Sequence, residues 1–123
     1  MVQYDTPITA NDASFERAVL QAPLPVVAIF WSARENPRQQ LNTVLEQTAH
    51  EYAGEALVVK LEVADAPQAR ARYNVETLPQ FLFFHQGKLL ARARGVPSAE
   101  MLCPWVEYLL GRGPKPATKQ PRR

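Results

Sequence analysis

The sequence predicts one α/β domain: a central mixed β-sheet flanked by helices on both faces. Three observations carry that expectation. Apolar runs of strand length, at 26–31 and 56–63, alternate with segments of helical periodicity, which implies parallel strands joined through helices. The run Val26-Val27-Ala28-Ile29-Phe30-Trp31 is apolar at every position, as a strand covered on both faces must be. A third run, Phe81 to Phe84, is followed by Gln86-Gly87 and a fourth, Lys88 to Arg94, the pattern of an antiparallel hairpin. At 123 residues, 46% hydrophobic and 21% charged, the chain has the length and balance of a single globular domain rather than a disordered segment.

The elements follow in order. Asn11 to Leu20 places Phe15, Ala18 and Val19 on one helical face, with Asn11 or Asp12 able to cap it. Pro23 and Pro25 end that helix, and the all-apolar strand at 26–31 follows. After a polar turn and Pro37, the residues Leu41, Val44, Leu45, Thr48, Ala49 and Tyr52 recur at helical spacing until Gly54. Ala56 to Val63 reads as the second strand. Asp65-Ala66-Pro67 opens a short helix ending near Tyr73, with Pro67 in the first turn, where its missing N–H needs no partner. The hairpin comes next. Ser98 then caps a last helix whose stripe is Met101, Leu102, Trp105 and Leu109, with Pro104 one turn in and Gly111 at its end.

Charge divides the chain into a domain at 1–111 and a tail at 112–123. Arg112, Lys115, Lys119, Arg122 and Arg123 are basic and the tail holds no acid, which leaves the domain with nine basic against twelve acidic residues. Pro114, Pro116 and Pro121 make the tail extended and mobile. No aromatic side chain interleaves its charges to stack on bases, so nucleic acid is not the expected partner. No run is long enough to cross a bilayer, and no basic, apolar leader opens the sequence, so the expected location is cytoplasmic.

Chemistry-bearing residues are few. Cys103 is the only cysteine, which excludes an internal disulfide and an intramolecular dithiol cycle. It lies in the last helix beside Leu102, where a small buried hydrophobe is the expected role. His50 and His85 have neither ligand spacing nor an obvious nucleophile or carboxylate partner, so no metal or cofactor is expected.

In layout and motif order the chain resembles the thioredoxin family, over about 100 residues from Ile8 to Gly111. Ile29-Phe30-Trp31-Ser32 is similar to the strand and tryptophan that lead into that family's active-site turn. Lys60 sits in the following strand as the family's lysine does. Tyr73-Asn74-Val75-Glu76-Thr77-Leu78-Pro79 is similar to the approach to its cis-proline, and Gly87 and Gly95 fall at its hairpin and loop glycines. The resemblance implies the thioredoxin fold and a groove for extended polypeptide, in which the residue before the proline presents its backbone. Trp31, Ala33, Arg34, Leu78, Pro79 and Val96 would border that groove.

The sequence departs from the family at the chemical centre. Where thioredoxins carry Cys-Gly-Pro-Cys, this chain reads Glu35-Asn36-Pro37-Arg38. A thioredoxin's first sulfur sits at a helix N-terminus that favours thiolate, and the second resolves the mixed disulfide. A carboxylate and a guanidinium perform neither step. The position of the family's buried carboxylate, two residues before the tryptophan, is Ile29. Glu35 at a helix start contributes roughly 0.3–1 kcal/mol, and pairing with Arg38 adds about 0.2–0.5 kcal/mol, so both residues have a structural reason to be there. The expected function is that of a redox-inactive, non-catalytic adaptor or chaperone that binds protein or extended polypeptide. Two alternatives stand beside it: a monothiol redox protein acting through Cys103, and an assembly component docking through its helix surfaces or basic tail.

Overall fold

A five-stranded mixed sheet forms the centre of the computed structural model, which describes residues 6–34, 38–95, 98–114 and 116, apart from the side chains of Arg38, Gln40 and Ala99. In chain order the elements are β1 (Ile8–Ala10), α1 (Asp12–Phe15) running on into a π-helical turn (Glu16–Leu20), β2 (Val26–Trp31), α2 (Arg38–Glu51), β3 (Leu57–Glu62), α3 (Pro67–Arg72), β4 (Gln80–His85), β5 (Lys88–Arg94) and α4 (Ala99–Leu109). The sheet order is β1-β3-β2-β4-β5. β1, β3 and β2 run parallel, while β4 and β5 are antiparallel additions.

β2 lies at the middle of the sheet because each of its residues has somewhere to bury. Successive side chains point to opposite faces. Val27, Ile29 and Trp31 join Leu41, Leu45, Leu102, Trp105 and Val106 under α2 and α4. Val26, Ala28 and Phe30 join Phe15, Val19, Leu61 and Ala69 under α1 and α3. β4 divides in the same way, Phe81 and Phe83 to the first layer and Leu82 and Phe84 to the second. Phe83 stacks on Trp105 at 4.8 Å between ring centroids, and Phe84 meets Tyr73 edge-on at 5.3 Å.

The turns obey local chemistry. Gln86 and Gly87 both have positive φ, 55° and 79°, as a two-residue hairpin turn of the type matching strand twist requires. A Cβ on Gly87 would also come within 3.0 Å of the Leu20 carbonyl oxygen. Ser98 caps α4 by accepting from the Met101 N–H at 3.2 Å. α4 continues past the exposed Pro104 to Leu109.

Three features differ from the sequence expectation. The chain forms a strand before its first helix: Ile8–Ala10 pairs with Val59–Leu61 of β3, and a three-residue element has no periodicity to reveal it. The expected helix at 11–20 is a capped α-turn that widens into a π-turn, in which the Gln21 N–H donates to the Glu16 carbonyl at 2.8 Å. At its start Asn11 and Ser14 cap each other reciprocally. Asp12, expected as an alternative cap for this helix, instead caps α3, accepting from the Gln68 and Ala69 N–H groups at 2.9 Å each. The third difference is Arg112. Placed in the mobile tail by its charge and its neighbours, it is bound to Glu55 and Glu107 of the domain.

Candidate functional site

The carboxyl end of β2 and the start of β4 meet at one corner of the sheet. Phe30 is in register with Gln80, so the next position on each strand brings Trp31 beside Pro79. Trp31 is buried, and its carbonyl accepts from the Val63 N–H at 2.9 Å. Ser32 is buried too, and its Oγ accepts from the Arg34 N–H at 3.2 Å. Ala33 and Arg34 are exposed.

Glu62, which the sequence reading passes over, organises this corner. It is in register with Trp31 at the end of β3. Its Oε2 accepts from the Ala33 N–H and its Oε1 from the Ala64 N–H, both at 3.1 Å. One carboxylate thus fixes the turn after β2 and the turn after β3. Ala33 lies 29 residues from Glu62, and no local pattern joins the two.

On the other strand, the Leu78–Pro79 peptide bond is cis. Pro79 is buried and its carbonyl accepts from the Gly95 N–H at 3.2 Å. Leu78 is half-buried, packed on the α1–α3 layer. Among the described residues no hydrogen bond engages its N–H or C=O. Trp31, Ala33, Arg34, Leu78 and Pro79 therefore gather at one corner. Glu35, Asn36, Pro37 and Val96 lie outside the described residues, and Arg38 is the first residue of α2.

Beneath the corner, Ile29 is fully buried and in register with Lys60 on β3. Lys60 donates from Nζ to Asn42 Oδ1 of α2 at 3.3 Å. The lysine's polar partner is an amide from the helix, and the neighbouring position on β2 is hydrocarbon. An ionised group at 29 would lose its hydration among apolar neighbours, so a butyl side chain belongs there unless a reaction requires otherwise.

The chain's sulfur lies elsewhere. Cys103 is a free thiol on α4, half-buried against the layer of α2 and α4 rather than fully buried as expected. It sits beside the hydroxyl of Tyr52, just past the end of α2. Along the helix axis Tyr52 is roughly 20 Å from Arg38, at about 1.5 Å per residue. The Tyr52 hydroxyl donates to Glu107 Oε2 at 2.7 Å. Arg112 forks onto both Glu107 oxygens at 2.9 and 3.0 Å and reaches Glu55 Oε2 at 3.0 Å. These bonds hold the Glu107 carboxyl at about 2, Arg112 contributing first and Tyr52 second, and they raise Arg112 above its ordinary range. Burial, then the bond to Glu107 and the nearness of Cys103, raises the Tyr52 phenol above its usual 10.0.

His50 is exposed on the last turn of α2, and His85 is half-buried at the end of β4. No group of three His, Cys, Asp or Glu side chains among the described residues could hold a metal ion. Likewise, no described helix is long and apolar enough to cross a membrane.

Comparison with known proteins agrees with this architecture. The family model described as Thioredoxin matches residues 6–108. The thioredoxin of Acidithiobacillus ferridurans is 31% identical over 106 residues, spanning 86% of this chain and 98% of its own. Thioredoxin C-2 of Corynebacterium nephridii is 29% identical over 102 residues, 83% of this chain and 94% of its own. The structure of the N21Q mutant thioredoxin from Halobacterium salinarum NRC-1 superposes with a TM-score of 0.80 at 21% identity, covering 89% of this chain and 96% of that one. With the Thioredoxin family model matching residues 6–108 and a thioredoxin 31% identical along nearly its whole length, the chain belongs to the thioredoxin family.

Proposed function

We propose that this chain is a polypeptide-binding member of the thioredoxin family that works without a dithiol cycle, as an adaptor or holdase-type chaperone. One observation carries the reading: the sole thiol, Cys103, is placed beside Tyr52 at the far end of α2, while the segment entering α2 has no sulfur at all. Disulfide exchange by a dithiol needs two sulfurs within a helical turn of one another. What the corner offers instead is main-chain hydrogen bonding at Leu78, flanked by Ala33 and Arg34, which suits an extended segment adding along a sheet edge. Membership of a family whose members act on proteins supports a protein partner. Nucleic acid is not part of this reading, and neither is a cofactor. The location proposed is the cytoplasm.

Nuclear magnetic resonance of the labelled chain tests the reading. An unlabelled extended peptide should shift the amide signals of Ala33, Arg34 and Leu78, and Leu78→Glu should weaken its binding at least tenfold. Shifts confined to the α4 surface around Cys103 would instead favour a thiol-centred role and remove the support for groove binding.

A further inference from the structure

The turn after β2 stands in the middle of the corner, with the turn after β3 on one side of it and Leu78, ahead of β4, on the other. We propose that Glu62 is the positioning residue of the polypeptide groove: by joining the two turns it holds the Ala33–Arg34 rim at the distance from the Leu78 backbone that a bound segment requires. The inference rests on the polypeptide-binding reading above and adds the residue that sets the groove's width.

The strand ladder shows where a brace is needed. β2 and β3 run parallel, with Trp31 in register with Glu62 and the Val63 N–H donating to the Trp31 carbonyl at 2.9 Å. In a parallel ladder the next rung would run from the Ala33 N–H to the Val63 carbonyl. That carbonyl instead accepts from the Ala66 N–H at 3.3 Å, as the chain turns toward α3. The strands part here, and the Glu62 side chain takes over the missing rung, its Oε2 accepting from the Ala33 N–H. Its Oε1 accepts from the Ala64 N–H, and its main-chain carbonyl accepts from the Asp65 N–H at 2.8 Å. The brace is thus anchored in the turn after β3. Within the rim itself the Arg34 N–H bonds locally, to Ser32 Oγ, whereas the bond from Ala33 reaches another strand.

A carboxylate suits this role. Two N–H groups face it, and it offers two acceptor oxygens and no donor, with charge-assisted bonds stronger than neutral ones. Glutamine there would have a single acceptor oxygen and would turn an amino donor toward the second N–H, so it serves one turn and not both. Ala33 and Arg34 are exposed, and Leu78 is half-buried with its N–H and C=O unengaged among the described residues. The backbone that receives a segment is in place at Leu78, and the opposing rim depends on Glu62. A rim that wanders lowers the binding-competent fraction and raises the apparent Kd by the same factor.

Fluorescence anisotropy with a fluorescein-labelled nine-residue peptide of serine, valine and threonine tests this, with amide hydrogen exchange followed by nuclear magnetic resonance on the same proteins. Glu62→Ala should raise the peptide's Kd about tenfold, the result of a rim in place about one-tenth of the time. Glu62→Gln should fall between that variant and the unaltered protein. The Ala33 and Ala64 amides should both exchange faster in Glu62→Ala, and in Glu62→Gln one of them should keep its protection. Circular dichroism checks that both variants fold; if Glu62→Ala does not, Glu62→Gln decides on the same terms. An unchanged Kd in the folded variants, with binding still lost in Leu78→Glu, would overturn the role of Glu62 and leave the groove reading standing. A raised Kd with both amides as protected as before would overturn it too, because the turns would not have moved. Absence of binding to the unaltered protein would overturn both readings.

Discussion

The corner at the end of β2 and the seam between α2 and α4 hold opposite halves of what a thioredoxin-type reaction requires. The corner has the geometry: Trp31 packed beneath it, the cis Leu78–Pro79 bond, and Glu62 pinning the turns after β2 and β3. The seam has the sulfur, half-buried beside Tyr52, whose network with Glu107, Arg112 and Glu55 ties the end of α4 to the end of α2. The chain's one cysteine, Cys103, thus stands on α4 and not at the corner. A nucleophilic sulfur must stand where helix dipole, proton acceptor and substrate backbone converge. Here the helix start and the Leu78 backbone lie at the corner, position 29 is hydrocarbon, and the sulfur lies about the length of α2 away.

The largest expected effect comes from putting charge back beneath the corner. Ile29→Asp buries a carboxylate among hydrocarbon, with Lys60 on the adjacent strand already bonded to Asn42. Unfolding in urea should show a loss of about 3 kcal/mol or more. A loss below about 1 kcal/mol would mean that Lys60 leaves Asn42 to pair with the acid and that the corner tolerates a buried charge.

Loosening the seam has a smaller effect. Tyr52→Phe removes the hydroxyl that bonds Glu107 and neighbours Cys103, and should cost about 1 kcal/mol. Labelling of Cys103 by a thiol reagent should be slow in the native protein and faster in this variant. Rapid labelling of the unaltered protein would give the seam a reactive thiol and break the contrast.

The seam also predicts a pH dependence. Glu107 has its carboxyl depressed from the ordinary 4.5 to about 2, so its contribution is complete above pH 4.5 and disappears as pH falls through about 2. The difference in Tm between the unaltered protein and Glu107→Gln should therefore narrow from pH 5 to pH 2. A difference independent of pH would show that the ion pairs with Arg112 contribute nothing. Tyr52 acts in the opposite direction: its raised phenol stabilises the fold below pH 10, and that contribution fades as alkali ionises it.

Most of the scaffold could be read from residue order because its signals are local. The all-apolar β2, the Gln86-Gly87 turn and the Ser98 cap each need only a few neighbouring residues, and each is found where it was expected. What escaped is what depends on distance along the chain. β1 is defined by pairing with Val59–Leu61, about fifty residues on. Asp12 caps a helix 56 residues away, and Tyr52 meets Glu107 at a separation of 55. Arg112 reads as tail because its neighbours are Gly and Pro, yet two carboxylates hold it to the domain. At the site, Leu78 and Pro79 were apparent from the motif that precedes them, whereas Glu62 emerges only when the strands are aligned.

The central claim is that the corner binds polypeptide with no help from sulfur, and the cysteine-free variant Cys103→Ser tests it most directly. Titrated by anisotropy with a permanently unfolded, thiol-blocked polypeptide, it should bind with the same Kd as the unaltered protein, and adding Leu78→Glu should weaken binding at least tenfold. Loss of binding on removing Cys103, with the Leu78→Glu change alone having no effect, would contradict the account.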